Sequence, residues 1–264
     1  MRIFKRAKGI RNLLNSLGVR GTIIYYGHAR SSEAAIDAPP IRLRARTARY
    51  ELVCRPGTSD LNVFAQVFVR REYAPVDDIS GVNLIVDCGA YVGLTSAYFL
   101  SRFPSAHLIA IEPDHGNFAV LQENLRPFAP RATLLHAAIW SHPTDLVVDD
   151  APFRDAREWT RQVREPRERE TRTIPAFDMA TILKESGFDR ISLLKIDIEG
   201  AEALIFAKEQ NLQWLDQVDN MVVELHDDSR FGIATEVFER AIAGHSFSCW
   251  RPPRFDEMVV CRRV

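Results

Sequence analysis

The sequence contains few cysteines, and none of them has the spacing of a metal site. The four cysteines are Cys54, Cys88, Cys249 and Cys261, and they form no CxxC pair. Zinc sites and redox motifs usually contain such pairs. We therefore expect four buried, reduced thiols, which is the usual state of cysteine in the cytoplasm.

The sequence also lacks a long apolar run. No stretch approaches the ~20 apolar residues needed to span a bilayer. The start, MRIFKRAKGIRNLL, is positively charged but has no continuous apolar centre like that of a signal peptide. These absences predict a soluble protein of the cytoplasm.

The chain has almost no net charge, but its charges are unevenly distributed. The first 46 residues hold ten Lys and Arg against Glu33 and Asp37, a net charge of +8. The net charge of the whole chain is −1, so the net charge of residues 47–264 is −9. Binding of nucleic acid usually requires a basic surface. The acidic remainder therefore argues against a nucleic-acid substrate and favours a neutral or small one.

A basic segment precedes the main domain. Apolar residues recur at roughly helical spacing between residues 2 and 17, which predicts a basic amphipathic helix. This helix could dock on the main domain, or it could attach to an anionic membrane surface or a protein partner. Composition divides the chain into a basic helix and linker (1–46), a strand and helix extension (47–80) and a main domain (81–264).

Two apolar runs that each end in an acid form the most informative pattern. The first run ends in Asp87, and a turn with Gly89, Ala90 and Gly93 follows it. A helical stretch then leads to the second run, which ends in Glu112. This order of strand, tight turn, helix and strand predicts a βαβ unit with a ligand loop at its first turn.

The composition of this loop indicates its ligand. Its glycines have G-x-x-x-G spacing, whereas a loop that binds the pyrophosphate of a dinucleotide needs G-x-G-x-x-G. Asp87 would repel a phosphate but suits an ammonium group, and Glu112 suits the two hydroxyls of a ribose. S-adenosylmethionine has both groups and no phosphate, so it is the expected cofactor, and methyl transfer is the expected reaction.

Strands and helices alternate along the rest of the chain, which predicts an α/β fold with a mostly parallel sheet covered on both faces. Apolar runs predict further strands at 133–140, 191–198 and 221–226. Two closing strands near 246–250 and 257–263 have no helix between them, so we expect an antiparallel hairpin at the sheet edge. This combination is typical of the class I, Rossmann-like methyltransferase fold with seven strands.

Charged residues gather at the ends of two predicted strands. Lys195, Asp197 and Glu199 alternate with apolar residues and share one face, and Glu224 and His226 end the next strand. Ligands of open α/β folds bind at the carboxyl ends of the strands. Histidine titrates near neutral pH, so His226 is the first candidate for the general base, with Asp197 and Glu199 as further catalytic candidates.

Two other interpretations of these charges stay open. The first is a structural ion pair, for example between Lys195 and Glu224, since charges inside a sheet are costly unless paired. The second is a divalent ion held by four side chains, Asp197, Glu199, His226 and Asp227. No ligand spacing here is diagnostic, so no metal is predicted.

Seven segments form a further pattern: RPGTSDLNVF (55–64), VDCGAYVGLTS (86–96), IEPD (111–114), LHAAIWS (135–141), PAFDMATIL (175–183), LLKIDIEGAE (193–202) and VVELH (222–226). In this order, from about residue 50 to 230, they resemble the FkbM family of S-adenosylmethionine-dependent methyltransferases. The resemblance implies O-methylation of a hydroxyl in a sugar, a polyketide or another secondary metabolite. It also implies cofactor contacts from Asp87, Gly89, Gly93 and Glu112, with Ala138 near the adenine.

Other functional classes compete with this expectation. A nicotinamide-dependent oxidoreductase is the nearest alternative enzyme, and an inactive cofactor-binding scaffold is the non-enzymatic one. The charged segment 154–172 has hardly any apolar residues and lies outside the shared motifs. This composition predicts a solvated loop or an exposed helix, and its functional alternative is a mobile lid over the substrate. The expected partner is a small-molecule, glycan or glycolipid acceptor.

Overall fold

The computed structural model describes residues 2–29, 38–149, 160–168, 170–207, 211–255 and 257–264, with side chains from residue 9 onward. Within these residues, none of the helices combines the length and the apolar character that crossing a bilayer demands. The predicted linker at 31–40 lies mostly outside the described residues, and so does the first part of the charged segment 154–172.

The first helix, α1 (Arg2–His28), is bent at Gly18, where φ is 67°. Its first half therefore ends where the sequence predicts, at residue 17. Leu13 and Leu17 are buried in a core cluster that contains residues of the extension and of the main domain. The Ser16 hydroxyl donates to the Phe68 carbonyl over 2.8 Å. This hydrogen bond connects α1 to the segment Ala65–Arg70 of the extension. The basic helix is thus docked on the domain.

The extension that follows α1 forms a small layer over the sheet. Strands β1 (Ile41–Leu43) and β2 (Leu52–Cys54) pair antiparallel, and helix α2 (Asp60–Phe64) continues as a π-helical segment (Ala65–Arg70). Leu43, Leu52, Phe64 and Phe68 of this layer belong to one core cluster with residues of the main domain. The extension therefore folds as part of the same core.

The main domain alternates strands and helices as expected. Its elements in chain order are β3 (Leu84–Cys88), α3 (Leu94–Arg102), β4 (His107–Glu112), α4 (His115–Leu125), β5 (Ala132–His136), β6 (Ala138–Ile139), β7 (Thr144–Val148), β8 (Val163–Arg164), β9 (Ile174–Phe177), α5 (Met179–Ser186), β10 (Leu193–Ile196), α6 (Glu202–Ile205), β11 (Asn220–Glu224), α7 (Ala234–Ile242), β12 (Phe247–Trp250) and β13 (Met258–Arg263). Asp114 and Asp178 cap α4 and α5, each accepting a backbone N–H three residues later.

Seven strands form the central sheet in the order β12-β13-β11-β10-β3-β4-β5. Neighbours from β11 to β5 run parallel, whereas β13 is antiparallel to both β11 and β12. The predicted class I methyltransferase fold is confirmed. The hairpin is also present, but its antiparallel strand β13 lies one position inside the edge, and β12 forms the edge.

A second, four-stranded sheet has the order β6-β9-β7-β8. The predicted strand 133–140 is therefore two strands: β5 stays in the central sheet, and β6 leaves it to pair with β9. Trp140, Leu146 and Val163 pack in the small core that this sheet shares with the domain. Local apolar content could not reveal the break, because both halves are equally strand-like.

The expectation of four reduced cysteines is wrong for two of them. Cys249 and Cys261 are register partners on β12 and β13 and form a disulfide, with their Cα atoms 4.1 Å apart. The hairpin brings together two residues whose spacing in sequence matches no short motif. Cys54 and Cys88 are free and buried, as expected.

Candidate active site

A cavity of about 400 Å³ opens at the carboxyl ends of the central strands. We call it the central cavity and divide it into two ends. The loop end is lined by the glycine loop after β3, by Glu112 and by Ala138. The acid end is lined by five carboxylate side chains, Glu72, Asp197, Glu199, Glu224 and Glu257. Its position agrees with the rule that open α/β sheets bind ligands beyond the carboxyl ends of their strands.

The glycine loop lies unusually close to β10. Gly89 has a φ of 75°, and a Cβ at this position would lie 1.8 Å from the Asp197 carbonyl oxygen. The backbone N–H groups of Gly89 and Ala90 both donate to the Ile111 carbonyl, over 3.0 and 2.9 Å. Only glycine fits at position 89. Gly89 and Ala90 line the central cavity, whereas Gly93 starts α3 behind them.

Asp87 lies beneath the loop and is fully buried. Ser96 donates a 2.6 Å hydrogen bond to its Oδ2, and Lys195 Nζ lies 3.3 Å from its Oδ1. Asp87 is not among the residues that line the central cavity. Its contact with the cofactor stays a prediction, and the geometry gives its carboxylate a direct task in holding Lys195.

Glu112 lines the central cavity at the end of β4, where the sequence places it. The backbone N–H of Tyr91 donates to its Oε2, and that of Asp114 donates to its Oε1, each over 2.9 Å. Burial nevertheless raises the pKa of Glu112 to about 8. These donors fix the carboxylate in one orientation toward the cavity. Ala138 lines the same end, between Ala137 and Ile139, as an apolar wall.

Lys195 connects the two ends of the cavity. Its ammonium donates to the Gly89 carbonyl over 2.6 Å and lies 3.3 Å from Asp197 Oδ2 as well as from Asp87. Lys195 thus pairs with Asp87 and Asp197. The sequence suggested Glu224 as its partner instead. Asp197 remains partly accessible, with 26% of its side chain exposed at the cavity wall.

His226 lies behind the acid end rather than on its wall. Its side chain is 1% exposed, and its Nδ1 lies 3.0 Å from Glu202 Oε1. Burial disfavours the charged ring, but the hydrogen bond to Glu202 and the charge of Asp197 raise the pKa of His226 to about 10. His226 is also not among the residues that line the central cavity, so an acceptor hydroxyl there does not contact its ring. The geometry therefore disfavours His226 as the general base.

Asp227 points away from this group. Its carboxylate accepts hydrogen bonds from the Thr235 backbone N–H and hydroxyl, over 2.7 and 2.9 Å. Of the four residues that the sequence offered as ligands of an ion, the structure brings together Asp197, Glu199 and His226.

The sequence did not identify Glu72 as a functional residue. Glu72 follows the π-helical segment Ala65–Arg70 and directly precedes Tyr73. The side chains of Glu72 and Tyr73 both line the central cavity. Burial and the charge of Asp197 raise the pKa of Glu72 to about 7. No motif signals it, because its position depends on how the extension folds over the sheet.

The described part of the charged segment 154–172 also faces the cavity. Thr160, Arg161 and Val163 are among the lining residues. Gln162 Nε2 donates to the Glu199 carbonyl over 2.6 Å, which joins this segment to the acid end. Residues 154–159 and 169 lie outside the described residues, so the prediction of a lid stays untested.

Residues 87–258 match the sequence model of the family described as the methyltransferase FkbM domain. The chain belongs to this family. It is therefore an S-adenosylmethionine-dependent methyltransferase, as the resemblance predicted, and the oxidoreductase alternative is not supported. The loop end fits the cofactor, since it offers a fixed acid for a ribose and an apolar wall for an adenine without a phosphate-binding loop.

Two curated relatives and one solved structure illustrate the similarity. The chain is 25% identical over 194 residues to "Methyltransferase 1" of Beauveria bassiana (strain ARSEF 2860), covering 62% of this chain and 73% of that protein. It is 24% identical over 236 residues to "Methyltransferase sdnD" of Sordaria araneosa, covering 76% and 89%. A SAM-dependent methyltransferase from Agrobacterium tumefaciens aligns with a TM-score of 0.47 and 9% identity, covering 85% of this chain and 69% of that one.

Proposed function

We propose that this enzyme methylates a hydroxyl group of a sugar, a polyketide or another small secondary metabolite. The acid end of the central cavity carries this proposal, because five carboxylates line it. A hydroxyl must lose its proton when it is methylated, and a carboxylate in reach of it can accept that proton. The alternative of an inactive scaffold does not account for an acid end that opens into the cofactor cavity.

The loop end would hold the cofactor. When bound, S-adenosylmethionine supplies a methyl group on a positively charged sulfur. The Glu112 carboxyl group, fixed by the Tyr91 and Asp114 N–H groups, would bind the ribose hydroxyls. The Ala138 wall would contact the adenine, and Gly89 with Ala90 would allow close approach of the loop backbone.

The acid end would position and deprotonate the acceptor. Glu72 is our candidate for the general base, because it lines the cavity and its pKa of about 7 suits proton transfer at neutral pH. Asp197 and Glu199 would orient the acceptor by accepting hydrogen bonds from its other hydroxyl groups. Lys195 holds Asp197 from below, and His226 supports the carboxylates from behind.

The cavity also limits the acceptor. A volume of about 400 Å³ lies near the lower end of the ~300–1,000 Å³ typical of ligand pockets. Cofactor and acceptor share it, so the methylated group would be small or the end of a glycan or glycolipid. Carboxylates at the acceptor side repel phosphates, which disfavours nucleic acid.

Two measurements test the proposal. Deleting the gene and comparing cell extracts by mass spectrometry should reveal a metabolite lighter by one methylene, and the purified enzyme should methylate that metabolite on oxygen. Glu72→Gln should lower turnover by about 10²-fold or more, with unchanged affinity for S-adenosylhomocysteine in calorimetry. Glu185→Gln, on the exposed face of α5, is the matched control. Full turnover in Glu72→Gln would remove Glu72 from the mechanism, and methylation on nitrogen or carbon would overturn the proposed reaction.

A further inference from the structure

The second ring nitrogen of His226 has an unusual environment. Nε2 is buried, and it has no hydrogen-bond partner among the residues that the structure describes. It points instead toward three carboxylate oxygens, Asp197 Oδ1 at 3.9 Å, Glu199 Oε2 at 3.7 Å and Glu224 Oε1 at 3.8 Å. A buried polar atom normally has a hydrogen-bond partner or a bound ligand, so the environment of Nε2 needs an explanation.

The separations suit a cation better than hydrogen bonds. A hydrogen bond from a ring nitrogen spans ~2.7–3.2 Å, which is shorter than any of the three distances. Ligand atoms ~2.0–2.2 Å from a single ion lie roughly 3–3.6 Å from one another. A shift of a few tenths of an ångström would bring the distances from His226 Nε2 to Asp197 Oδ1 and Glu199 Oε2 to that spacing, and the ligand atoms of the three side chains lie within 4.8 Å of one another.

The other ring nitrogen is held as in known metal sites. Nδ1 lies 3.0 Å from Oε1 of Glu202, a residue with no exposed side-chain surface. The same Oε1 accepts the Ile198 N–H over 3.0 Å, which fixes the carboxylate. A histidine that binds a metal usually donates its second N–H to such a carboxylate, which fixes the ring. An ion that binds at Nε2 takes the place of the proton that the nearby carboxylates favour there.

Charge balance points the same way. Asp197, Glu199 and Glu224 meet at one place, and Glu202 lies directly behind them, while the ammonium of Lys195 is shared between Asp197 and Asp87. Carboxylates removed from water are costly without nearby positive charge. A divalent cation in place of the Nε2 proton would add positive charge where these side chains meet.

We infer that Asp197, Glu199 and His226 bind one divalent cation, with Glu224 beside them and Glu202 orienting the histidine. A set of carboxylates with one imidazole suits Mn²⁺ or Mg²⁺ better than a softer ion. Asp197 and Glu199 line the central cavity, so the ion would face the acceptor hydroxyl and make its proton easier to remove. That catalytic role rests on the proposed function, whereas cation binding does not.

Titration with Mn²⁺ tests the site directly. The purified full chain is treated with a chelator, desalted and titrated while the electron paramagnetic resonance signal of free Mn²⁺ is followed. We expect one Mn²⁺ per chain. Asp197→Asn and Glu202→Gln should each weaken binding ~10–100-fold. Asp227→Asn, which changes a neighbouring exposed carboxylate outside the cluster, should leave the affinity unchanged.

Calorimetry with S-adenosylhomocysteine on the same samples shows that each variant is folded and separates the two proposals. A chain that binds S-adenosylhomocysteine but no Mn²⁺, or equal Mn²⁺ affinity in all variants, overturns the cation site and leaves the proposed function standing. Stoichiometric Mn²⁺ binding that Asp197→Asn and Glu202→Gln abolish, in a chain that never methylates a hydroxyl, supports the cation site and counts against the proposed function.

Discussion

Lys195 and Asp87 form an ion pair beneath the glycine loop, with Nζ 3.3 Å from Oδ1. Both side chains are almost fully buried, at 4% and 0% exposure. The same ammonium donates to the Gly89 carbonyl over 2.6 Å. One positive charge therefore fixes the loop to the two adjacent central strands, β3 and β10.

Breaking this pair should destabilise the whole domain. Lys195→Met leaves the Asp87 carboxylate buried without its counter-charge, and we expect a loss of about 3–5 kcal/mol in the free energy of unfolding. Chemical denaturation followed by circular dichroism measures it. The double variant Lys195→Met/Asp87→Asn should recover part of the loss, because the uncompensated charge is gone. If Lys195→Met lowers the free energy of unfolding by less than about 1 kcal/mol, the ion pair contributes no more than a solvent-exposed salt bridge, which would contradict this prediction.

The close approach at Gly89 should make it irreplaceable. Gly89→Ala would place Cβ 1.8 Å from the Asp197 carbonyl oxygen, so we expect loss of cofactor binding together with a lower thermal midpoint. Gly187→Ala is the matched control, because Gly187 has nearly the same φ, 74°, and no atom within 4 Å of a Cβ. It should cost only the ~1–2 kcal/mol of the left-handed conformation. Equal effects of the two changes would mean that φ alone matters at Gly89.

Glu112 should make stability depend on pH. Burial raises its pKa from 4.5 to about 8, so between these values the folded protein keeps a proton that the unfolded chain releases. The folded state then binds more protons, and its contribution to stability falls as the pH rises from about 4.5 to about 8. Denaturation across this range should show a shallower decline in Glu112→Gln than in the wild type. Glu123→Gln, at a more exposed carboxylate, should keep the wild-type slope.

The docked face of α1 should contribute to stability, and its outer face should not. Leu17 is 8% exposed and Ile23 is 68% exposed. Leu17→Ala should cost about 2–4 kcal/mol, whereas Ile23→Ala should stay within about 0.5 kcal/mol of the wild type. Urea denaturation of both variants distinguishes them. Similar small effects would show that the helix is held only by its backbone contacts.

Peripheral binding to a membrane through this helix remains a prediction. Its outer face carries exposed apolar residues, Val19 and Ile23, beside the exposed Arg11 and Arg20. We expect cosedimentation with vesicles that contain phosphatidylserine and none with pure phosphatidylcholine. Ile23→Glu should abolish the binding while leaving methyl-donor affinity intact. Equal sedimentation with both vesicle types would argue against a role for the arginines.

Local patterns predicted the parts of the structure that depend on neighbours in sequence. The βαβ unit and the position of Glu112 both follow from residues within a few turns of one another. The ion pair of Asp87 with Lys195 could not be predicted. An acid at the end of a strand can point toward a ligand or into the core, and this depends on the face of the sheet that its side chain occupies. Glu72 and the Cys249–Cys261 disulfide depend on contacts between distant segments, which periodicity does not encode.

The ionisation of His226 shows the same limit in chemical form. Its position after β11 was predicted, and histidine is a reasonable base on its ordinary pKa. The surrounding acids reverse that inference, and Glu202 belongs to α6, a different element from the strand that carries the histidine. Only the packed arrangement of both elements reveals whether the ring carries a proton.

The main domain contains two sheets, and parts of one can vary without the other. Ala138 lies on β6 and Val163 on β8, the two edge strands of the small sheet. Both residues line the central cavity, which lies at the carboxyl ends of the strands of the large sheet. Changes in β8 can therefore reshape the cavity wall beside Val163 while the six strand pairings of the large sheet beneath stay intact. The wall of the site can diversify there without rebuilding the strands that carry the glycine loop.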